Sequence, residues 1–166
     1  MTMIDTLKSS ELFGGLSTSH LEKVAALCRS GSYRQNEMIF KEGDEATEIY
    51  VLTDGRVALE MEVRPVTNRP PIPTAVGVCT KGETLGWSAL VEPYVYTLST
   101  RCMTNCTVLV VKGDMLRKLM DNDVGLGYEL VNRLAKVISR RLTETRLRLI
   151  SGLGLIMLGR ELGVSE

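Results

Sequence analysis

The feature that most constrains the fold is a series of short extended segments between residues 38 and 63, separated by turn signals. Asp54-Gly55 favours a tight two-residue turn, because both residue types tolerate positive φ. Residues 48–53 before it are rich in strand formers, and residues 56–63 after it alternate apolar with other residues, the apolar members being Val57, Leu59, Met61 and Val63. This pattern predicts a β-hairpin around Asp54-Gly55.

Further strand candidates follow at short intervals. Residues 38–40, 75–79, 94–102 and 107–111 contain many of the residues that strands favour. Residues 65–73 hold four of the five prolines and predict a loop, since proline cannot donate to a β-ladder. Short strands at this spacing are typical of a sandwich or roll, and not of a parallel sheet with crossover helices.

Both ends of the chain have helical patterns. Ser19 and Glu22 fit a capping box, and the apolar stripe after them ends at Gly31. Near the C-terminus, the patterns predict a short helix, a long proline-free helix and another short helix, over residues 114–120, 125–150 and 153–162. We therefore predict one domain over residues 1–166, with helices in 4–30, a β-region in 31–112 and helices in 113–163.

The long helix carries a narrow apolar stripe. Its members recur at spacings of three and four and are Leu130, Leu134, Val137, Ile138, Leu142, Thr145 and Leu149. Such a stripe fits packing on the β-region of the same chain, pairing with the same helix of a second subunit, or both. Because polar residues fill the opposite side, we expect a homodimer formed through this helix.

The charge balance argues against nucleic-acid and membrane partners. Lys+Arg and Asp+Glu both total 20, so there is no overall attraction to anionic polymers or surfaces. Six basic residues of the long helix are dispersed around it and predict a solvated face. The longest uncharged apolar stretch, residues 149–159, is too short and glycine-rich to cross a bilayer, and no secretory signal is visible. We expect a cytoplasmic protein, with a further protein partner left open.

No group of residues predicts catalysis or metal binding. The single histidine, His20, is expected about 12 Å along one helix from Cys28. Cys102 and Cys106, taken as one strand, would lie about 13 Å apart, too far for a disulfide or a shared metal ion. The four cysteines, with Cys79 as the remaining one, lack CxxC spacing and favour reduced thiols. We expect this chain to have neither enzymatic activity nor a bound metal ion.

Residues 39–57, IFKEGDEATEIYVLTDGRV, carry a family resemblance. The segment resembles the start of the cyclic nucleotide-binding domain, and residues 82–86, GETLG, resemble the approach to that family's phosphate-binding cassette. The resemblance covers residues 7–150. It implies a mainly β fold with flanking helices: an eight-stranded, jelly-roll-like β-roll (a double-stranded β-helix) of the catabolite activator protein type, whose long C-terminal helix closes over the pocket.

The cassette departs from the family pattern at both charged positions. In the family, a Glu accepts the ribose 2′-hydroxyl and an Arg pairs with the cyclic phosphate. Here Trp87 occupies the Glu position, and the Arg position falls on Tyr94 or Tyr96, depending on the alignment. Arg101 lies about 16 Å further along the strand. Because one charge-assisted pair supplies about 1.5–3 kcal/mol, we expect no cofactor and no cyclic nucleotide bound in the usual pose.

Other pocket contacts remain candidates. They are Gly86, Trp87, Ser88, Ala89, Tyr96, Thr97 and Thr145, of which the threonines also fit ordinary strand and helix positions. Trp87 and the tyrosines either line a pocket for an apolar or aromatic ligand or fill it.

Three functions remain open. The first is a non-enzymatic regulatory module that acts through its long helix. The second is a small-molecule sensor that binds a cyclic nucleotide or another ligand in an altered pocket. The third, a DNA-binding regulator, is disfavoured because such regulators carry a further helix-turn-helix domain, for which we expect no room before Glu166.

Overall fold

The computed structural model describes residues 2–64 and 70–161, with side chains as far as residue 152. Helices α1 (Met3–Lys8) and α2 (Thr18–Ala25) precede the β-region. The strands are β1 (Cys28–Tyr33), β2 (Glu48–Asp54), β3 (Val57–Val63), β4 (Ile72–Cys79), β5 (Thr84–Leu85), β6 (Ser99–Cys102) and β7 (Cys106–Lys112). A 3-10 turn (Trp87–Leu90) lies between β5 and β6, and α3 (Gly113–Asn122) and α4 (Val124–Glu161) follow β7.

The strands form two antiparallel sheets, as the predicted β-roll requires. One has the order β1-β7-β2-β5 and the other the order β4-β3-β6. The described residues contain seven strands instead of the eight that the resemblance implies, because residues 38–40 make only an isolated bridge between Met38 and Arg101. The core lies between the sheets, where Ile49, Leu52 and Val57 are fully buried.

The Asp54-Gly55 turn does not close a hairpin. The strands on either side of it, β2 and β3, belong to different sheets, so the turn carries the chain from one sheet to the other. Gly55 has φ +94°, and a Cβ there would come within 2.5 Å of the Asn105 carbonyl oxygen. The turn signal was therefore interpreted correctly, but the pairing inferred from it was wrong.

Two predictions for the N-terminal region are also wrong. Ser17, and not Ser19, caps α2, because its side chain accepts a hydrogen bond from the His20 amide; a capping box instead involves Thr2 and opens α1. Gly31 does not end the helix. It lies within β1, which pairs along its whole length with β7.

The predicted strand over residues 94–102 is shorter than expected. Only Ser99–Cys102 forms β6. Tyr94 has a left-handed φ of +57°, and Tyr96 is joined by backbone hydrogen bonds to the loop at Gly43 and Asp44. This loop pairing holds Tyr96 beside the core before the strand begins.

Helix α4 is continuous through residue 161, without the predicted break near residue 152. Its apolar residues form two faces instead of one stripe. Leu130, Leu134 and Val137 are buried against the rest of the chain, whereas Ile138, Leu142 and Leu149 are 41–63% exposed. At 3.6 residues per turn, these two faces are about 100° apart around the helix. None of the described helices is long and apolar enough to span a membrane.

Candidate functional site

The segment between β5 and β6 forms the region that the sequence identifies as the altered cassette. Gly86 follows β5 and has φ +75°, and a Cβ at this position would approach the Glu48 carbonyl oxygen to 2.8 Å. Only glycine fits this bend without strain. The 3-10 turn that follows brings Trp87 and Ser88 to the wall of a cavity, while Ala89 is completely buried behind them.

The cavity between the two sheets is small and mostly apolar. Its volume is about 40 Å³, whereas sites for drug-sized ligands usually measure about 300–1,000 Å³. Its lining residues are Phe40, Leu59, Cys79, Thr84, Leu85, Gly86, Trp87, Ser88, Tyr96, Thr97 and Leu98. None of these side chains carries a cation, and the space is too small for a cyclic nucleotide.

Tyr96 occupies much of the space beside the cassette. Its side chain is almost completely buried, and its ring stacks on Phe40 with 4.0 Å between ring centroids. Its hydroxyl donates to the Glu48 carbonyl oxygen at 2.8 Å and accepts from the Glu48 amide at 3.2 Å. Burial raises the pKa of Tyr96, so the phenol stays neutral. Tyr96 therefore supplies a fixed, uncharged ring at one of the two positions where the resemblance places the family's arginine.

Trp87 lines the cavity and does not fill it. The indole is half-buried, and the Arg141 guanidinium of α4 lies 5.9 Å from its ring centroid. Arg141 also donates to the Cys79 sulfur at 3.1 Å. Burial raises the pKa of the Cys79 thiol to about 11, so the thiol stays protonated and the charge of Arg141 must be balanced elsewhere.

Two carboxylates provide that balance. Glu83 lies 3.3 Å and Glu11 3.7 Å from Arg141, and both also contact Arg140. We call these four residues the arginine clasp. Glu11 additionally accepts a hydrogen bond from the Thr84 amide at 2.7 Å. The clasp thus joins α4 to the N-terminal segment and to β5.

The arginine clasp is the site feature that the sequence analysis missed. The Arg141 side chain is only 14% exposed, so the prediction of a purely solvated basic face on the long helix is wrong. Arg140 also lies 3.9 Å from Glu144, four residues along the helix. The clasp partners Glu11 and Glu83, however, are 57 or more residues away in sequence, and spacing along the helix contains no sign of them.

Of the other predicted contacts, some line the cavity and some do not. Thr97 lines the cavity, but Thr145 is exposed and its hydroxyl donates to the Arg141 carbonyl oxygen on its own helix. Tyr94 lies outside the cavity beneath Arg117, so of the two residues expected at the family's arginine position only Tyr96 lines the cavity. Arg101 pairs with Glu60 at 3.0 Å and does not line the cavity.

The prediction that places Cys102 and Cys106 on one strand is wrong. They lie on β6 and β7, in different sheets, and the Cys106 thiol donates to the carbonyl oxygens of Arg56 and Thr104. Burial is the main cause that raises the pKa of Cys102 to about 12, so the thiol is protonated. Cys28 lies in β1 and not on the helix of His20. Among the described residues, no three metal-ligating side chains come together.

Residues 31–123, more than half of the chain, match the sequence profile of the cyclic nucleotide-binding domain. The chain therefore belongs to the cyclic nucleotide-binding domain family. The fold is the β-roll with a long C-terminal helix that is typical of the catabolite activator protein. A search of curated protein sequences finds no significant match.

Several solved structures share this fold. A protein from Geobacter metallireducens, whose name refers to cyclic nucleotide binding, is 27% identical with a TM-score of 0.74, over 86% of this chain and 99% of that one. The catabolite activator protein of Thermus thermophilus is 22% identical with a TM-score of 0.68, over 84% and 62%. The regulatory domain of Toxoplasma gondii PKA, crystallised with cAMP, is 20% identical with a TM-score of 0.67, over 83% and 49%.

Proposed function

We propose that this chain is a non-enzymatic regulatory module that acts through α4 as a homodimer and does not bind a cyclic nucleotide in the usual pose. The observation that carries the proposal is the buried Tyr96 ring, which stacks on Phe40; we place this ring at the position of the family's phosphate-binding arginine. A buried phosphodiester without a cation would cost several kcal/mol.

The arginine clasp supports a role that needs no nucleotide. In this β-roll, the long helix must be held over the pocket if it is to transmit a fixed geometry. Arg140 and Arg141 contact Glu11 and Glu83, so four side chains of the chain itself hold α4 in place. The helix position is therefore set by protein contacts, and the pocket is not required to contain a charged ligand.

The exposed face of α4 supports the homodimer. At successive spacings of three and four, its residues are Tyr128, Val131, Ala135, Ile138, Leu142, Thr145 and Leu149, all exposed. We call this set the exposed stripe. A 3-4 repeat of mainly apolar residues is the pattern by which two helices pack in a coiled coil. A second copy of the chain provides a matching surface for this stripe.

We propose that the protein functions in the cytoplasm. All four of its cysteines are free, as expected in a reducing compartment.

The first test is calorimetric titration with cyclic AMP, cyclic GMP and cyclic di-GMP. We expect no saturable heat up to about 1 mM ligand, equivalent to a binding free energy weaker than about 4 kcal/mol. The PKA regulatory domain crystallised with cAMP serves as the positive control. Micromolar binding of any of these ligands would overturn the proposal and favour a nucleotide sensor with an altered pocket.

The second test concerns the clasp. Arg141→Gln removes a largely buried charge that faces Glu83 and Glu11, so we expect a loss of about 2 kcal/mol in the free energy of unfolding. We also expect faster amide exchange in the part of α4 that lies over the β-roll. Denaturant unfolding and hydrogen exchange measure these effects. Arg146→Gln, the same substitution at an exposed position of α4, is the control, and equal exchange in both variants would contradict the role of the clasp.

A further inference from the structure

One polar group in the cavity wall has no hydrogen-bond partner among the residues that the structure describes. Thr84 lines the cavity and is completely buried, and its hydroxyl makes no hydrogen bond. Its backbone amide, in contrast, donates to Glu11. Buried hydroxyls are almost always hydrogen-bonded, because leaving one without a partner costs stability. The exception at Thr84 therefore requires an explanation, and a ligand group that hydrogen-bonds to it provides one.

The remaining lining indicates the rest of the ligand. Phe40, Leu59, Leu85 and Leu98 contribute apolar side chains, and the rings of Trp87 and Tyr96 complete the wall. Apolar and aromatic walls with few polar groups favour ligands with a compact apolar body. The cavity volume of about 40 Å³ accommodates the hydroxyl end of such a molecule. The half-buried indole of Trp87 must turn aside to admit the remainder.

The charges around the cavity argue for a neutral ligand. Arg141 is the cation next to the wall, and Glu83 and Glu11 lie within 3.7 Å of it. With Arg140 included, the arginine clasp contains two positive and two negative groups, and Glu144 adds a carboxylate 3.9 Å from Arg140. This cluster has no net positive charge with which to attract an anion, and a ligand carboxylate or phosphate would compete with carboxylates that are already in place.

We propose that this cavity binds a small uncharged molecule with an apolar, ring-sized body and one hydroxyl group, which hydrogen-bonds to the Thr84 hydroxyl. The inference rests on the proposed function in one respect, namely that the cavity does not take a cyclic nucleotide. The inference adds the chemical class of the ligand and names Thr84 as the residue that selects it. The Arg141 guanidinium lies 5.9 Å from the ring centroid of Trp87, so a ligand that displaces Trp87 would also act on Arg141 of the clasp.

Trp87 is the only tryptophan, so its fluorescence reports on the cavity directly. The probes are phenol, toluene and benzoate. Phenol and toluene have the same size and differ only in a hydroxyl or a methyl group, and Thr84→Val makes the same exchange in the protein. We expect phenol to bind at least fivefold more tightly than toluene to the native chain. We expect this ratio to approach one in Thr84→Val, and benzoate to bind more weakly than either.

Several results would overturn the inference. They are a phenol-to-toluene ratio below two in the native chain, an unchanged ratio in Thr84→Val, and tightest binding of benzoate. Thr84→Ser retains the hydroxyl and is expected to retain the preference for phenol, which protects the test if the valine variant misfolds. Titration with cyclic AMP under the same conditions separates the two proposals. Nucleotide binding would contradict the proposed function, whereas failure of phenol alone would contradict only the ligand class.

Discussion

Replacement of Tyr96 by alanine is expected to lower the free energy of unfolding by about 3–5 kcal/mol, the range found when a buried aromatic side chain is truncated. The ring is 4% exposed and stacks on Phe40, which itself lies 5.7 Å from the ring centroid of Tyr50. Removing it leaves a cavity beside this aromatic cluster and breaks both hydrogen bonds to the Glu48 backbone. Urea unfolding, monitored by circular dichroism, measures the change.

Tyr96→Phe is the matched control. It retains the ring and removes only the hydroxyl, so the expected loss is about 1–2 kcal/mol. Equal losses in the two variants would show that the ring does not contribute to packing, and the assignment of Tyr96 as the residue that fills the cassette would fail. The alanine variant should also have a larger cavity, which a crystal structure would measure directly.

Leu142→Glu is expected to convert the proposed dimer into a monomer. Leu142 lies in the middle of the exposed stripe and is 48% exposed. In a paired helix it faces its own counterpart, so one substitution places two carboxylates in the same apolar seam. We expect the dimer dissociation constant to increase at least a hundredfold, as measured by sedimentation equilibrium.

The control for this experiment is Thr143→Glu. Thr143 is exposed on α4 but lies about 100° around the helix from Leu142, outside the exposed stripe. We expect it to leave the dimer intact and to retain the melting temperature of the native chain. An identical mass for the native chain and the Leu142→Glu variant would contradict pairing through this face.

The β-roll was predictable because its evidence is local. The turn glycines, the strand formers around residues 48–63 and the family pattern at residues 39–57 lie within short windows of sequence. The predicted hairpin failed because the tight turn at Gly55 is equally compatible with two strands of one sheet and with a corner between two sheets. In the structure, β2 pairs with β7, which lies more than fifty residues further along the chain.

The site shows the same division between local and distant evidence. The absence of both signature charges, at Trp87 and at Tyr94 or Tyr96, is visible in the sequence. The arginine clasp is not visible there, because Glu11, Glu83 and Arg141 meet only after α4 has packed across the β-roll. The stripe on α4 was likewise identified as one feature, since a spacing of three or four residues does not distinguish Val137, which is buried, from its exposed neighbour Ile138.

The separation of the two apolar faces of α4 has a consequence for the homodimer that we propose. Because the side chains that anchor the helix to its own chain are not those offered to a second copy, we expect a lone subunit to keep the helix docked and available for pairing. Assembly of the proposed dimer would then depend on the subunit concentration. The amount of protein synthesised would in that case set the fraction in the paired form.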